Sequence, residues 1–571
     1  MQDFAPEKPC LVETGRGFSV SYKNRLLYSR HDPKKTVLRA VADAQILPGT
    51  LVLALSPCLW YGLEELLSKL DGSSFVLGVE TDAQLHELSR TALAKAGGNG
   101  RVALFPQGEL SDIVEIISGT KATRSVSLPR IGQFKRARAV ELSGGVGLDR
   151  ELYARITRAC EDAVASFWKN RVTLMRMGKL YTKNLFKNLG RLALAGAGGT
   201  PAVTTVSAHA ATIGRPILVL GAGEGAETLL RNIPAPLVAR FFVLAVDAAA
   251  PLLKARGVVP DGIVCVESQL AIEKAHIGGV AKKSVLFADI SSREEVTRHT
   301  ETEVSYFATR FSDAAFFDAL SRRRFFPPVI PPLGSVGLVA THLALLLRKS
   351  ERVPVLVAGL DFSFPPGKTH ANGTYPHIAR LSSSNRLFPA ENHDAAFAPG
   401  GAAITTKDGR TAFTDKALSS YAALFAHTFR GQKNLFDAGE SGVSLGILRA
   451  DALAAAQAAQ KPDRPKGAET CAEGAATAAT RKEIAEYLEG EKTALNRIKE
   501  LLMFGESAAR RGVPAGAELS ELIAQREYLF LHFPDGHICA AEDRGFLKRV
   551  RAETDSFLKT IAHALKKARG G

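Results

Sequence analysis

No apolar run in this chain approaches the ~20 residues a helix needs to cross a bilayer. The opening Met1-Gln2-Asp3-Phe4-Ala5-Pro6-Glu7 has no basic stretch leading into an apolar one, so no secretory leader is read there and a cytoplasmic location is expected. Cysteine is sparse. Cys10, Cys58, Cys160, Cys265, Cys471 and Cys539 are far apart and form no Cys-x-x-Cys pair, so they read as reduced, isolated thiols better than as a metal or disulfide framework. No nucleic-acid-binding motif is present. What the chain has in quantity is core material: with 46% hydrophobic and 23% charged residues, it has the profile of a globular protein. At 571 residues it is too long for one ordinary core, so about three domains are expected.

The net charge is +15, a balance that suits nucleic acid, membrane surfaces or phosphorylated and acidic ligands. The densest basic stretch, Ser166–Arg191, carries Lys169, Arg171, Arg176, Lys179, Lys183, Lys187 and Arg191 without a carboxylate. Its aromatics, Phe167, Trp168, Tyr181 and Phe186, fall at helical spacing. The pattern describes a core-facing stripe with a solvated basic face better than a nucleic-acid surface, and neither nucleic acid nor membrane is expected as a partner.

Residues 1–150 alternate strand and helix. Leu51–Leu55 and Phe75–Val79 read as buried strands, the second ending at Glu80, with a helix over Ala83–Ala96. This is the shape of a nucleotide-binding half, but its first turn, Ser56-Pro57, lacks glycines. Residues 151–200 read as a helical bridge ending at Gly196–Pro201. Residues 201–456 alternate again, with strands at Ile217–Leu220, Phe242–Val246, Gly262–Val266, Ser284–Ala288, Val304–Ala308 and Val355–Ala358. Continuous apolar runs mark strands buried on both faces, hence a parallel, doubly wound sheet. Residues 457–480 read as an Ala-, Gly-, Lys- and Pro-rich linker, and 481–571 as a helical C-terminal domain.

Four clusters in the central region could carry chemistry, mostly where strands end, and open α/β sheets bind ligands at the carboxyl ends of their strands. Ile217–Leu220 runs into Gly221-Ala222-Gly223-Glu224-Gly225 and a helix. Such a turn lets backbone approach a phosphate, or serves only as a tight connection. Two further strands end in Asp247 and Glu267, where a carboxylate could accept ribose hydroxyls or a base amine, while Asp247 before Ala-Ala-Ala also suits a helix cap. Asp261, in Pro-Asp-Gly, reads as a turn residue. Ser335 in Gly334-Ser335-Val336-Gly337 is a cap, or a hydroxyl offered to a base or phosphate. Val355–Ala358 ends in Gly359-Leu360-Asp361, and the Gly-flanked loop that follows presents His370, either a general base over a cleft or one surface histidine among 13.

In this order, the clusters resemble the motility-associated-factor (Maf) glycosyltransferases, over residues 10–450 and most strongly over 214–375. Leu27-Tyr28-Ser29-Arg30-His31-Asp32-Pro33, Trp168-Lys169-Asn170, Lys187-Asn188-Leu189, Thr406-Lys407-Asp408-Gly409-Arg410 with Thr414 and Tyr421, and Asp437–Val443 resemble further family segments. The central domain is similar to archaeal pterin diphosphokinases and to bacterial sialyltransferases. The resemblance implies a cytidine monophosphate group held by Gly221, Gly223, Asp247, Ser335 and Asp361, with Glu267 a looser match, and His370 as general base. It implies transfer of a nonulosonic, sialic-acid-like sugar from its CMP-activated form to Ser or Thr of flagellin. No cofactor is obligatory, though Asp247 or Asp361 could take a divalent cation. One departure stands out. The family reads Gly-x-Gly-Pro-Ser-Leu where this chain has Glu224-Gly225, which carries negative charge toward the expected phosphate and removes a hydroxyl.

Overall fold

The computed structural model describes residues 8–97, 100–118, 121, 127–194, 202–269, 284–298, 302–312, 314–387, 400–459, 478–509 and 516–569. The expected break at Gly196–Pro201, most of the expected linker and Cys471 lie outside these residues. The chain divides into two compact units, Met1–Arg176 and Met177–Gly571. Both are α/β and each contains a parallel sheet.

The first unit opens on an antiparallel sheet of β1 (Cys10–Glu13), β2 (Phe18–Tyr22) and β3 (Arg25–Leu26), which the apolar pattern does not announce because β1 is exposed along its whole length. Its main sheet runs β6-β5-β4-β7, all parallel, from β4 (Thr50–Leu55), β5 (Phe75–Val79), β6 (Val102–Leu104) and β7 (Arg136–Glu141). All of β4 and β5 is buried, as their unbroken apolar runs require. Glu80 is fully buried at the end of β5. Its carboxylate accepts from Ser56 Oγ (2.8 Å), Tyr153 OH (2.7 Å) and the amides of Thr81 (3.0 Å) and Asp82 (3.3 Å). The acid that would receive a ribose in a nucleotide-binding half is thus engaged by the protein itself, beside a first turn that holds Ser56 and Cys58 at φ 46° and 41°.

The stretch read as a bridge is a single helix, α1 (Arg150–Leu192). Three of its lysines are not a solvated basic face. Lys179 pairs with Glu553 (2.7 Å), Lys183 donates to Ser556 Oγ (2.6 Å), and Lys187 lies 3.7 and 3.8 Å from Glu294 and Glu295. Beside these lysines, Phe186 packs edge-on against Tyr528 (5.2 Å between centroids) and Phe557 (6.2 Å). The C-terminal helices therefore share one compact unit with the central sheet, and Lys567 of the last helix pairs with Glu294.

The central sheet joins β8 (Val203–Thr205), β9 (Ile217–Leu220), β10 (Phe242–Val246), β11 (Gly262–Cys265), β12 (Val285–Asp289), β13 (Val304–Thr309), β14 (Val329–Ile330), β15 (Val355–Ala358), β18 (Leu435–Asp437) and β19 (Leu448–Arg449) in the order β14-β13-β12-β11-β10-β9-β15-β18-β19, with β8 paired to β13. Every pairing is parallel. Outside this sheet, β16 (Ala402–Thr405) and β17 (Thr411–Thr414) form an antiparallel hairpin. Every residue of β9, β10, β12 and β15 is buried. One face packs on the apolar helix Val336–Leu347 through Leu338, Leu343 and Leu347, the other on Leu229, Leu230 and Leu253. Two buried asparagines on α1 grip the carboxyl edge. Asn184 donates to the carbonyls of Ser268 (3.3 Å) and Ser291 (3.1 Å), and Asn188 to those of Ile290 (2.9 Å) and Ser292 (2.8 Å).

Candidate active site at the carboxyl edge of the central sheet

The strand order reverses between β9 and β15. Chain progress runs one way from β9 through β10 to β14 and the other way from β15 to β19, so the gap above these two strands is the topological switch point, where open α/β sheets form their ligand crevice. Gly221-Ala222-Gly223 leaves β9 there and Gly359-Leu360-Asp361 leaves β15. The two turns are in direct contact. Gly221 N donates to Ala358 O (2.8 Å) and Gly223 N to Gly359 O (3.0 Å). A Cβ on Gly223 would stand 2.5 Å from Asp361 Oδ2, and Gly359 has φ +72°, so both need glycine.

Asp361 is buried and its Oδ2 accepts from Gly225 N (2.8 Å) at the start of helix Glu224–Asn232. Burial pushes its carboxyl up to about 7, opposed by the Gly225 amide and the Lys407 ammonium. The amides of Gly221, Gly223 and Gly225 are thus each engaged by protein oxygens. Glu224, which the resemblance marked as a departure, is not a bare charge: Arg410 lies 3.2 Å from it and 2.7 Å from Asp408. Arg410 sits in the turn between β16 and β17, which is tied to the segment after Asp361 by paired amides of Phe364 and Phe413 (both 2.8 Å). In the same turn, Lys407 pairs with buried Asp437 at the end of β18 (2.6 Å, side chains 7% and 3% exposed).

His370 reaches this edge on the loop 367–373. Ala371 N donates to Ala222 O (2.9 Å), fastening the loop to the middle of the glycine turn. Glu227, 4% exposed one helical turn after Glu224, holds the loop on either side of the histidine. It accepts from Lys368 Nζ (2.6 Å), Asn372 N (3.0 Å) and Asn372 Nδ2 (3.2 Å). These bonds outweigh burial and hold its carboxyl down at about 2. His370 Nδ1 lies 3.1 Å from Thr369 Oγ1, and burial, with Arg380 nearby, lowers the imidazole pKa. His377, in helix Tyr375–Ser383, takes the Gly373 amide on Nδ1 (3.4 Å).

Asp247 follows β10, next to β9, and is buried with its Oδ1 accepting from Ala248 N (2.7 Å). Burial pushes it up to about 7, and the charge of Glu267 adds to the rise. Glu267 follows β11 and accepts from the amides of Ser268 and Gln269 (2.9 Å each). Ser335 caps helix Val336–Leu347, accepting from Gly337 N (3.3 Å). Gly221 and Gly337 both abut the Leu360 side chain, so the two helix starts flank it. Asp261 lies at the opposite edge of the sheet, paired with Arg215 (2.6 Å) and accepting from Val243 N (2.8 Å). Among the described residues no group of three or more His, Cys, Asp or Glu is arranged to hold a metal ion.

Gly221, Gly223, Glu224, Asp247, Glu267, Ser335, Asp361 and His370 thus all lie along one edge of one sheet. Glu227, Lys407, Arg410 and Asp437 join them, though none was named as a site residue. Glu227 reads in sequence as one more acid on an amphipathic helix, and the Thr-Lys-Asp-Gly-Arg turn carries a signal only as a family segment.

A parallel sheet with its crevice at this switch point, glycine turns on both lips and a histidine loop fastened to one of them defines a doubly wound α/β protein. A solved Maf glycosyltransferase from Magnetospirillum magneticum AMB-1 matches all of this chain and 94% of its own length with a TM-score of 0.52 at 13% identity. Residues 183–367 match the model of the 6-hydroxymethylpterin diphosphokinase MptE-like family. A Treponema pallidum (strain Nichols) protein, described as uncharacterized, is 30% identical over 582 residues, which cover 97% of this chain and 95% of the relative. The chain belongs to the family of that protein, with an MptE-like match over residues 183–367 and a fold like that of the Maf glycosyltransferase. Among the described residues no helix is long and apolar enough to cross a membrane.

Proposed function

We infer that the chain is an inverting glycosyltransferase that moves a nonulosonic acid from a cytidine monophosphate donor to Ser or Thr of flagellin. The observation that supports this reading best is the attachment of the His370 loop to the glycine turn through Ala371 N and Ala222 O (2.9 Å), which puts a titratable base beside the switch-point crevice. In this reading the tautomer that gives Nδ1–H to Thr369 Oγ1 (3.1 Å) leaves Nε2 as the basic nitrogen, and the lowered pKa keeps the ring neutral at pH 7. In the reaction the acceptor oxygen forms a bond to the anomeric carbon while its proton passes to Nε2. The bond from that carbon to the donor phosphate breaks, and cytidine monophosphate leaves with the electron pair. Ser335, Asp247 and the glycine turn line the nucleotide's side, and Arg410 offers a cation to the phosphate.

The test is the intact mass of flagellin from cells with and without the protein, together with release of cytidine monophosphate by the purified chain. Unchanged flagellin mass would sink the reading. The match of residues 183–367 to an MptE-like domain favours a second reading, an ATP-dependent pterin diphosphokinase. AMP release that requires both Mg²⁺ and a hydroxymethylpterin would establish that one instead.

A further inference from the structure

We propose that Glu227 is a positioning residue that sets the geometry of His370 by clamping its loop at two points. The inference rests on the glycosyltransferase reading of the site and adds to it a residue that touches no substrate. One oxygen of Glu227, Oε2, accepts from Lys368 Nζ (2.6 Å) and from the backbone amide of Asn372 (3.0 Å), and the other, Oε1, from Asn372 Nδ2 (3.2 Å) and Arg231 (3.0 Å). Lys368 and Asn372 stand two residues before and two after His370. The clamp therefore fixes both arms of the loop, and Ala371 N on Ala222 O fixes its centre.

Helix Glu224–Asn232 carries the clamp and also begins at the glycine turn, so crevice and base hang from one rigid element. That coupling is what a base aimed at a bound donor needs, since displacements near 1 Å cost large factors in rate. The second histidine, His377, lies in the helix beyond, outside the two clamped positions, where the Gly373 amide reaches its Nδ1 (3.4 Å). Arg380 donates to Gly367 O (3.1 Å) and closes the base of the same loop.

The test uses the full-length protein with Glu227→Gln, Glu227→Asp and Lys368→Met. Hydrogen–deuterium exchange over 367–373 and diethyl pyrocarbonate labelling of His370 report the loop, and release of cytidine monophosphate from CMP-N-acetylneuraminate reports turnover. In Glu227→Gln, exchange over 367–373 should rise at least tenfold with the rest of the sheet unchanged. Turnover (kcat) should fall tenfold or more while the donor KM stays within about threefold. Glu227→Asp should recover part of the loss, and Lys368→Met should repeat it in weaker form. Unaltered exchange in a folded Glu227→Gln protein, or an unaltered kcat, overturns the proposal. If the wild-type chain turns over no donor at all, the glycosyltransferase reading fails, and the exchange and labelling data still decide whether Glu227 positions His370.

Discussion

Asp361→Asn should remove the loss of stability that this site suffers as pH rises toward 8. The wild-type carboxyl is buried, and its pKa is pushed up from 3.8 to about 7. Between those two values the folded state binds the proton and the unfolded chain does not. Its contribution is therefore fully present below pH 4 and is lost as pH rises through 7. Worked through the two titrations, this single group costs the wild type about 2–3 kcal/mol between pH 5 and pH 8. Asparagine mimics the protonated acid in shape, its Oδ1 can still accept from Gly225 N, and it does not titrate. The variant should thus gain about that much on the wild type across the same range. The assay is urea unfolding of both proteins at pH 5, 6, 7 and 8, followed by far-ultraviolet circular dichroism and by hydrogen exchange in peptides over 217–230. Tryptophan fluorescence would miss the event, because the chain's two tryptophans, Trp60 and Trp168, both belong to the first unit. A gap between the two proteins that does not change with pH would refute the reasoning, and a gap that shrinks with rising pH would show Asp361 charged in the fold.

His370→Ala should reduce flagellin modification by ~10²-fold or more while nucleotide binding stays close to wild type, measured by intact mass and calorimetry, and His377→Ala should do neither. Glu224→Ser frees Arg410 from one of its two carboxylates, so donor affinity should change while stability moves by less than about 1 kcal/mol, as for other exposed ion pairs. Asn188→Ala removes two bonds to carbonyls of the carboxyl edge and two from Tyr306 OH (3.1 Å) and Thr297 Oγ1 (3.3 Å). At about 1 kcal/mol each, it should destabilise the second unit by about 4 kcal/mol in denaturant melts.

The parallel strands were legible because burial on both faces leaves an unbroken apolar run, and the strands read at Ile217–Leu220, Phe242–Val246 and Val355–Ala358 appear with those bounds. The strand-end acids were legible for a related reason: a carboxylate directly after such a run has to lie at the sheet's edge. What lay hidden depends on contacts distant in sequence. Nothing near Arg410 says that it will meet Glu224, and Lys407 shows its buried partner Asp437 only once β15 and β18 lie side by side. The Ser166–Arg191 stretch misled for the same reason, since the carboxylates of Glu553, Glu294 and Glu295 that take up its charge belong to other parts of the chain. The exposed β1 and the hairpin of β16 and β17, with four residues in each strand, are too short for an apolar period to mark them.

Gly225 and Asp361, which close the switch point, are 136 residues apart in the chain. During synthesis β9 leaves the ribosome well before β15, and the strands from β10 to β14 can line up on one side of it while its other edge stays bare. That edge is a fully apolar parallel strand, the kind that recruits another chain if left waiting. It is covered only when β15 arrives, and the helix start above it keeps an uncapped Gly225 amide until Asp361 follows. The candidate site and this bare edge are completed by the same late event, so a chain stalled or cut before residue 355 should be aggregation-prone and lack the site altogether.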